Sequence, residues 1–149
     1  GDDINAIAHA HPMYGITFST LGKTLDPITQ DSCAFYERTA IFADYDGVAN
    51  GPQEGINISK ALADKDFLIL QNHGILTTGS MIDTTIWYFL NMEDACKSQL
   101  IAESVGKPIK IPHDIACNTR DYVANDLSAF VSLQPLLDLL WEEEKDFLD

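Results

Sequence analysis

The stretch "DFLILQNHG", residues 66–74, constrains the fold of this 149-residue chain more than any other. Its residues 67–70 are apolar without alternation, so a strand there has to be covered on both faces and belongs in the middle of a sheet. "ILTTG", residues 75–79, follows as a hairpin partner after Gly74. From Ser80, a residue suited to an N-cap with Asp83 three positions on, the apolar residues Ile82, Ile86, Phe89, Cys96 and Leu100 keep helical spacing to about residue 105. Upstream, residues 4–11 form a small and β-branched apolar run that reads as an interior strand. Pro12 then opens a short helix in "PMYGITFSTLG". The pattern further predicts a helix in "TQDSCAFYE", a strand in "TAIFA", a turn-rich "DYDGVANGPQEG" and a helix in "GINISKALAD". After a loop "GKPIKIPHDIACN" come a short helix near "RDYVAND" and a last amphipathic helix from Pro135, with Leu136, Leu137, Leu140, Trp141 and Phe147 on one side. Strands and helices intermix, which makes the class an α/β sandwich.

The balance of charge narrows the partners. Nine Lys and Arg against 23 Asp and Glu give a formal charge of −14, a surface that repels nucleic acid phosphates and anionic lipid heads. A small molecule is the expected partner, and an anionic one would need a local positive centre. Cys33, Cys96 and Cys117 are odd in number and form no C-x-x-C pair, so neither a disulfide framework nor a thiolate zinc site is indicated and reduced, cytoplasmic thiols are expected. No apolar run approaches the roughly 20 residues of a membrane span, and "GDDINAIAH" lacks the basic start of a signal peptide. A strand entered at residue 4 with no leading element suggests a chain that begins mid-domain.

Two of only four histidines stand in "AIAHAHPMYG". Side chains two apart on a strand share a face, so His9 and His11 can point at one spot, the geometry a metal asks of two imidazoles. His73, at the end of the central strand and before a glycine that permits close approach or positive φ, is the candidate third ligand. Ordinary strands also carry His-X-His by chance. Asn72 either orients His73 or terminates the strand. His113, in a loop with no partner at ligand spacing, reads as a surface histidine. Glu93 and Lys97, at i and i+4, read as a solvated ion pair.

"DINAIAHAHPMYGITFSTLGKTLDPITQ", then "FLILQNHGILTTG", then a helix containing "NMEDACKSQLIAES" resemble the class II aldolase/adducin family in order and separation, over roughly residues 3–105. The resemblance implies a three-layer α/β/α sandwich around a largely antiparallel, mixed central sheet. The whole chain, 1–149, would then be one such domain, or its C-terminal two-thirds, often assembled as a homotetramer. It also implies that His9, His11 and His73 bind a divalent metal, zinc first, with iron(II) or manganese also compatible. Members with this triad act on small, often phosphorylated, sugar-like substrates through an enediolate. A metal acting as a Lewis acid on adjacent hydroxyl and carbonyl oxygens suits that step. The family's acid/base glutamate and phosphate loop lie upstream of the His-X-His strand and have no counterpart here, and Glu37 and Glu54 do not match that glutamate's position. Some aldolases of the family use a tyrosine from a neighbouring protomer as proton donor, which Tyr36 in "CAFYERT" would supply, although an aromatic ring packed on the core is the other reading. The expected function is a metal-dependent lyase. A non-haem iron oxygenase or decarboxylase of the same fold and a non-catalytic adducin-like interaction module are the alternatives.

Overall fold

The computed structural model describes residues 4–43 and 52–144. Its elements run β1 (Ala6–Ala10), α1 (Met13–Ser19), a 3₁₀ helix (Asp31–Phe35), β2 (Thr39–Phe42), α2 (Pro52–Leu62), β3 (Phe67–Leu70), β4 (Gly74–Gly79), α3 (Ile82–Val105), α4 (His113–Val123) and α5 (Asp126–Glu143). The four strands form one mixed sheet in the order β1-β4-β3-β2, with β1 and β3 antiparallel to β4 and β2 parallel to β3.

The apolar run of β3 dictates the layers. Phe67 and Ile69 face one way, into a core with Phe18 of α1, Phe35 and, from α3, Tyr88, Met92 and Cys96. Leu68 and Leu70 face the other way and pack with Leu76 and with Ile58, Ala61 and Leu62 of α2. All four β3 side chains are buried, as a strand covered on both faces must be. The result is the expected three-layer α/β/α sandwich around a largely antiparallel sheet.

Several expectations change. β1 is an edge strand whose residues are half-buried or exposed, Ile7 at 64% exposure. Its run of small apolar residues carries no mark of which sheet position it takes. The predicted helix at residues 29–37 is a single 3₁₀ stretch. The cap of α3 is Met81 rather than Ser80, whose hydroxyl instead donates to Asp126 Oδ2 at 2.6 Å. The buried side of α3 is also rotated from the one predicted: Thr84, Thr85, Tyr88, Met92, Ala95, Cys96 and Gln99 face inward, whereas Ile82 and Ile86 are exposed. Thr85 Oγ1 donates to the Met81 carbonyl at 2.8 Å, and Gln99 Oε1 accepts from Asp26 N–H at 2.8 Å, so these two polar residues take inward positions with partners there.

Helix α4 begins at His113, inside the expected loop, and α5 begins at Asp126, so Pro135 lies within it. Asn125 supplies the missed start signal, its side chain accepting from Ser128 N–H at 3.0 Å. Ala129 and Leu133 are the buried residues of α5, while Leu136, Leu140 and Trp141 of the predicted apolar side are exposed. Phe147 and most of the turn-rich segment, residues 44–51, lie outside the described residues. Among the described residues no helix is long and apolar enough to cross a membrane.

Candidate metal centre

The antiparallel pairing of β1 with β4 places His9 opposite Leu76 and Ala10 opposite Ile75. β3 and β4 are joined by Gln71, Asn72 and His73, in a turn closed by His73 N–H donating to the Leu70 carbonyl at 3.0 Å. Asn72 takes the left-handed position of that turn, φ 59°, which asparagine tolerates better than most residues. It therefore ends the strand, as one of its two readings held. Gly74 serves by close approach: a Cβ there would lie 2.7 Å from the Ala10 carbonyl oxygen and 3.2 Å from His11 Cδ2. Its missing side chain is what lets the end of β1 and the His73 turn meet.

The three imidazoles converge. Ring centroids are 5.0 Å apart for His9 and His11, 5.0 Å for His9 and His73, and 4.5 Å for His11 and His73. One ring nitrogen from each lies within 4.8 Å of the others. Tetrahedral zinc with bonds of about 2.0–2.1 Å asks for nitrogens roughly 3.3 Å apart, so small side-chain rotations close the set. His9 Nδ1 lies 2.9 Å from the Ile75 carbonyl oxygen. A carbonyl only accepts, so this nitrogen carries the proton and Nε2 keeps the lone pair that a metal needs. Burial first, and the His9 and His11 rings next, hold His73 below the ordinary histidine range, against an opposing pull from Glu54. His73 is thereby kept neutral, the form that ligates. His9 and His11 are exposed and His73 half-buried, so the cluster opens to solvent on one side, which suits a catalytic rather than a closed structural site.

Glu93 has a different role from the one its spacing suggested. Its carboxylate accepts from Tyr14 N–H at 2.9 Å and Gly15 N–H at 2.6 Å, two of the donors left open at the start of α1, whose Pro12 cap makes no side-chain bond. Lys97 Nζ meanwhile lies 5.2 Å from the Tyr14 ring centroid. The carboxylate thus holds the helix that starts two residues after His11. Glu93→Gln should remove one of these charge-assisted bonds, worth about 1.5–3 kcal/mol. The unfolding midpoint should fall by roughly 3–12 °C, with weaker metal binding at His11; thermal unfolding with and without added zinc measures both.

Tyr36 belongs to neither core cluster among the described residues, which sets aside the reading of its ring as a core residue. Its hydroxyl lies 3.2 Å from His113 Nδ1. His113 in turn has Cys117 one turn along α4 and Glu37 nearby, so it is not the solitary surface histidine expected. The sequence signal was there, in the i, i+4 spacing of His113 and Cys117, but it needed α4 to begin at His113.

The family model for the class II aldolase and adducin N-terminal domain matches residues 1–100. Decarboxylase NovR of Streptomyces niveus is 36% identical over 134 residues, covering 90% of this chain and 50% of that protein. The 4-hydroxy-3-prenylphenylpyruvate oxygenase/4-hydroxy-3-prenylbenzoate synthase of Streptomyces roseochromogenus subsp. oscitans is 35% identical over 134 residues, covering 90% and 48%. The solved structure of L-fuculose 1-phosphate aldolase from Glaciozyma antarctica PI12 superposes with a TM-score of 0.86 at 34% identity, covering 98% of this chain and 55% of that one. The chain spans about half the length of the curated relatives it matches. With two-thirds of its length under the family model and the same fold in a solved relative, the chain belongs to the class II aldolase and adducin family.

Proposed function

We propose that this chain is one domain, 1–149, carrying the metal centre of a class II aldolase-type lyase. Its substrate is a small hydroxy-carbonyl compound, phosphorylated or not, and the reaction passes through an enediolate. The observation that carries the reading is the convergence of His9, His11 and His73 on one exposed spot, with His9 fixed in the ligating tautomer by the Ile75 carbonyl. Zinc is the first choice of metal; bound there, it would supply a Lewis acid for adjacent hydroxyl and carbonyl oxygens and the positive centre that a chain of charge −14 otherwise lacks. The residues contribute in separate ways. The Ile75 carbonyl orients His9, burial keeps His73 unprotonated, and Glu93 fixes the segment following His11. Tyr36, paired with His113, is proposed as the proton donor toward the site of a neighbouring protomer in a homo-oligomer. The acid/base carboxylate is assigned to no residue of this chain.

A second reading has its own support. Both Streptomyces relatives are named for decarboxylase or oxygenase chemistry, and three neutral imidazoles accept iron(II) as well as zinc, the affinity order alone not choosing between them. The purified chain should be loaded separately with zinc and with iron(II), then incubated in deuterated buffer with small hydroxy-ketones, free and phosphorylated, and with aromatic 2-oxo acids under oxygen. Zinc-dependent deuterium exchange beside the carbonyl, abolished by a chelator, supports the lyase. Oxygen uptake confined to the iron form supports the second reading. Neither, in a folded chain that holds metal, means that these residues do not catalyse on their own and favours the interaction module.

A further inference from the structure

A second group of donors lies at the junction of the 3₁₀ helix and α4. Glu37 follows the 3₁₀ helix in left-handed backbone, φ 60°. His113 and Cys117 stand one turn apart on α4 and present their side chains to it. Cys117 Sγ lies 3.8 Å from Glu37 Oε2 and 3.8 and 3.9 Å from the two ring nitrogens of His113, while His113 Nδ1 lies 3.7 Å from Glu37 Oε1.

The 3.7 Å between His113 and Glu37 is too long for a good hydrogen bond, and the sulfur contacts are long, weak ones. These separations are close to what a small cation would impose. With zinc–sulfur bonds of about 2.3 Å and zinc–nitrogen or zinc–oxygen bonds of about 2.0–2.2 Å, tetrahedral angles put sulfur roughly 3.6 Å from the other donors and nitrogen roughly 3.4 Å from oxygen. We propose that Glu37, His113 and Cys117 form a second divalent-metal site, for zinc or a metal of similar softness, separate from the His9, His11 and His73 group. Thiolate, imidazole and carboxylate together favour such a metal over magnesium or calcium, which take all-oxygen sets. An ion there ties α4 to the end of the 3₁₀ helix. Among the neighbours, Arg120 reaches Glu37 Oε2 at only 3.4 Å and has Asp121 at 2.8 Å as its closer partner, and the Tyr36 hydroxyl lies 3.2 Å from His113 Nδ1.

Cobalt(II) tells the two sites apart, because only this one contains a thiol. Cys33 and Cys96 are fully buried, burial pushing the Cys96 thiol up to about 12, and neither can reach an ion without unfolding. Titration of the full chain with cobalt(II) alone should produce a near-ultraviolet thiolate-to-cobalt charge-transfer band. The band should vanish in Cys117→Ser, persist in His73→Ala and need at least tenfold more cobalt in His113→Ala. Absence of the band in the wild-type chain, or its survival in Cys117→Ser, would overturn the site. His113 is exposed and Cys117 half-buried, and circular dichroism of each variant confirms that a lost band is not lost fold.

Discussion

Replacement of His73 by alanine is expected to lower zinc affinity at the triad by at least about 100-fold, beyond the 10–100-fold that loss of a partner behind a ligand typically costs. Two imidazoles on one short strand would remain, without the donor that approaches from the β3–β4 turn. Elemental analysis after dialysis, with calorimetric titration of zinc into both proteins, measures the change, and Cys117→Ser should leave this ion in place. Acidification tests the same site in the wild-type chain. Because burial and the neighbouring rings hold His73 below the ordinary range, its lone pair stays available where a solvated imidazole, with pKa about 6.5, is half protonated. Protonation of His73 should therefore begin to compete with the ion only at lower pH than it would for an unperturbed imidazole at that position. A folded wild-type chain that takes up no metal at the triad would end the lyase reading.

Gly74→Ala is expected to be the most damaging small substitution. The added methyl would stand 2.7 Å from the Ala10 carbonyl oxygen, a backbone atom that cannot swing aside, so β1 has to move away from β4. Overpacking of this kind costs about 1–3 kcal/mol, or roughly 2–12 °C in unfolding midpoint for a domain of this size. Because the same methyl would press on His11 Cδ2 at 3.2 Å, metal affinity should fall with stability. Gly106→Ala is the matched control: its Cβ meets nothing within 4 Å, and the variant should melt within a degree or two of the parent. Equal effects from the two changes would mean that glycine at 74 matters only for chain flexibility.

Much of the candidate site could be read from the sequence because its signals are local. Period-two spacing put His9 and His11 together, and the continuous apolar run of β3 fixed both the middle of the sheet and the place where His73 emerges. What escaped depends on contacts between distant segments. Glu93 looked like half of a helical ion pair because Lys97 stands at the right spacing, whereas its partners are N–H groups 78 and 79 residues away. The face of α3 was misjudged because burial of Thr85 and Gln99 goes with hydrogen bonds no periodicity encodes, to the Met81 carbonyl and to Asp26 N–H. His113 and Cys117 were separated by assigning them to a loop, since Pro112 at the head of α4 resembles the prolines of ordinary turns.

The bond between His9 and the Ile75 carbonyl closes over 66 residues. Loop closure on that scale comes late in folding, because its entropic cost falls before the contact can repay it. Until β1 zips onto β4, His9 and His11 drift as an isolated pair, and only afterwards do they share a neighbourhood with His73. Capture of an ion by all three, as proposed, would therefore follow the pairing of β1 with β4. In a refolding experiment the appearance of triad-bound metal should trail the formation of the β3–β4 hairpin, which would make the proposed ion a clock for the closing step.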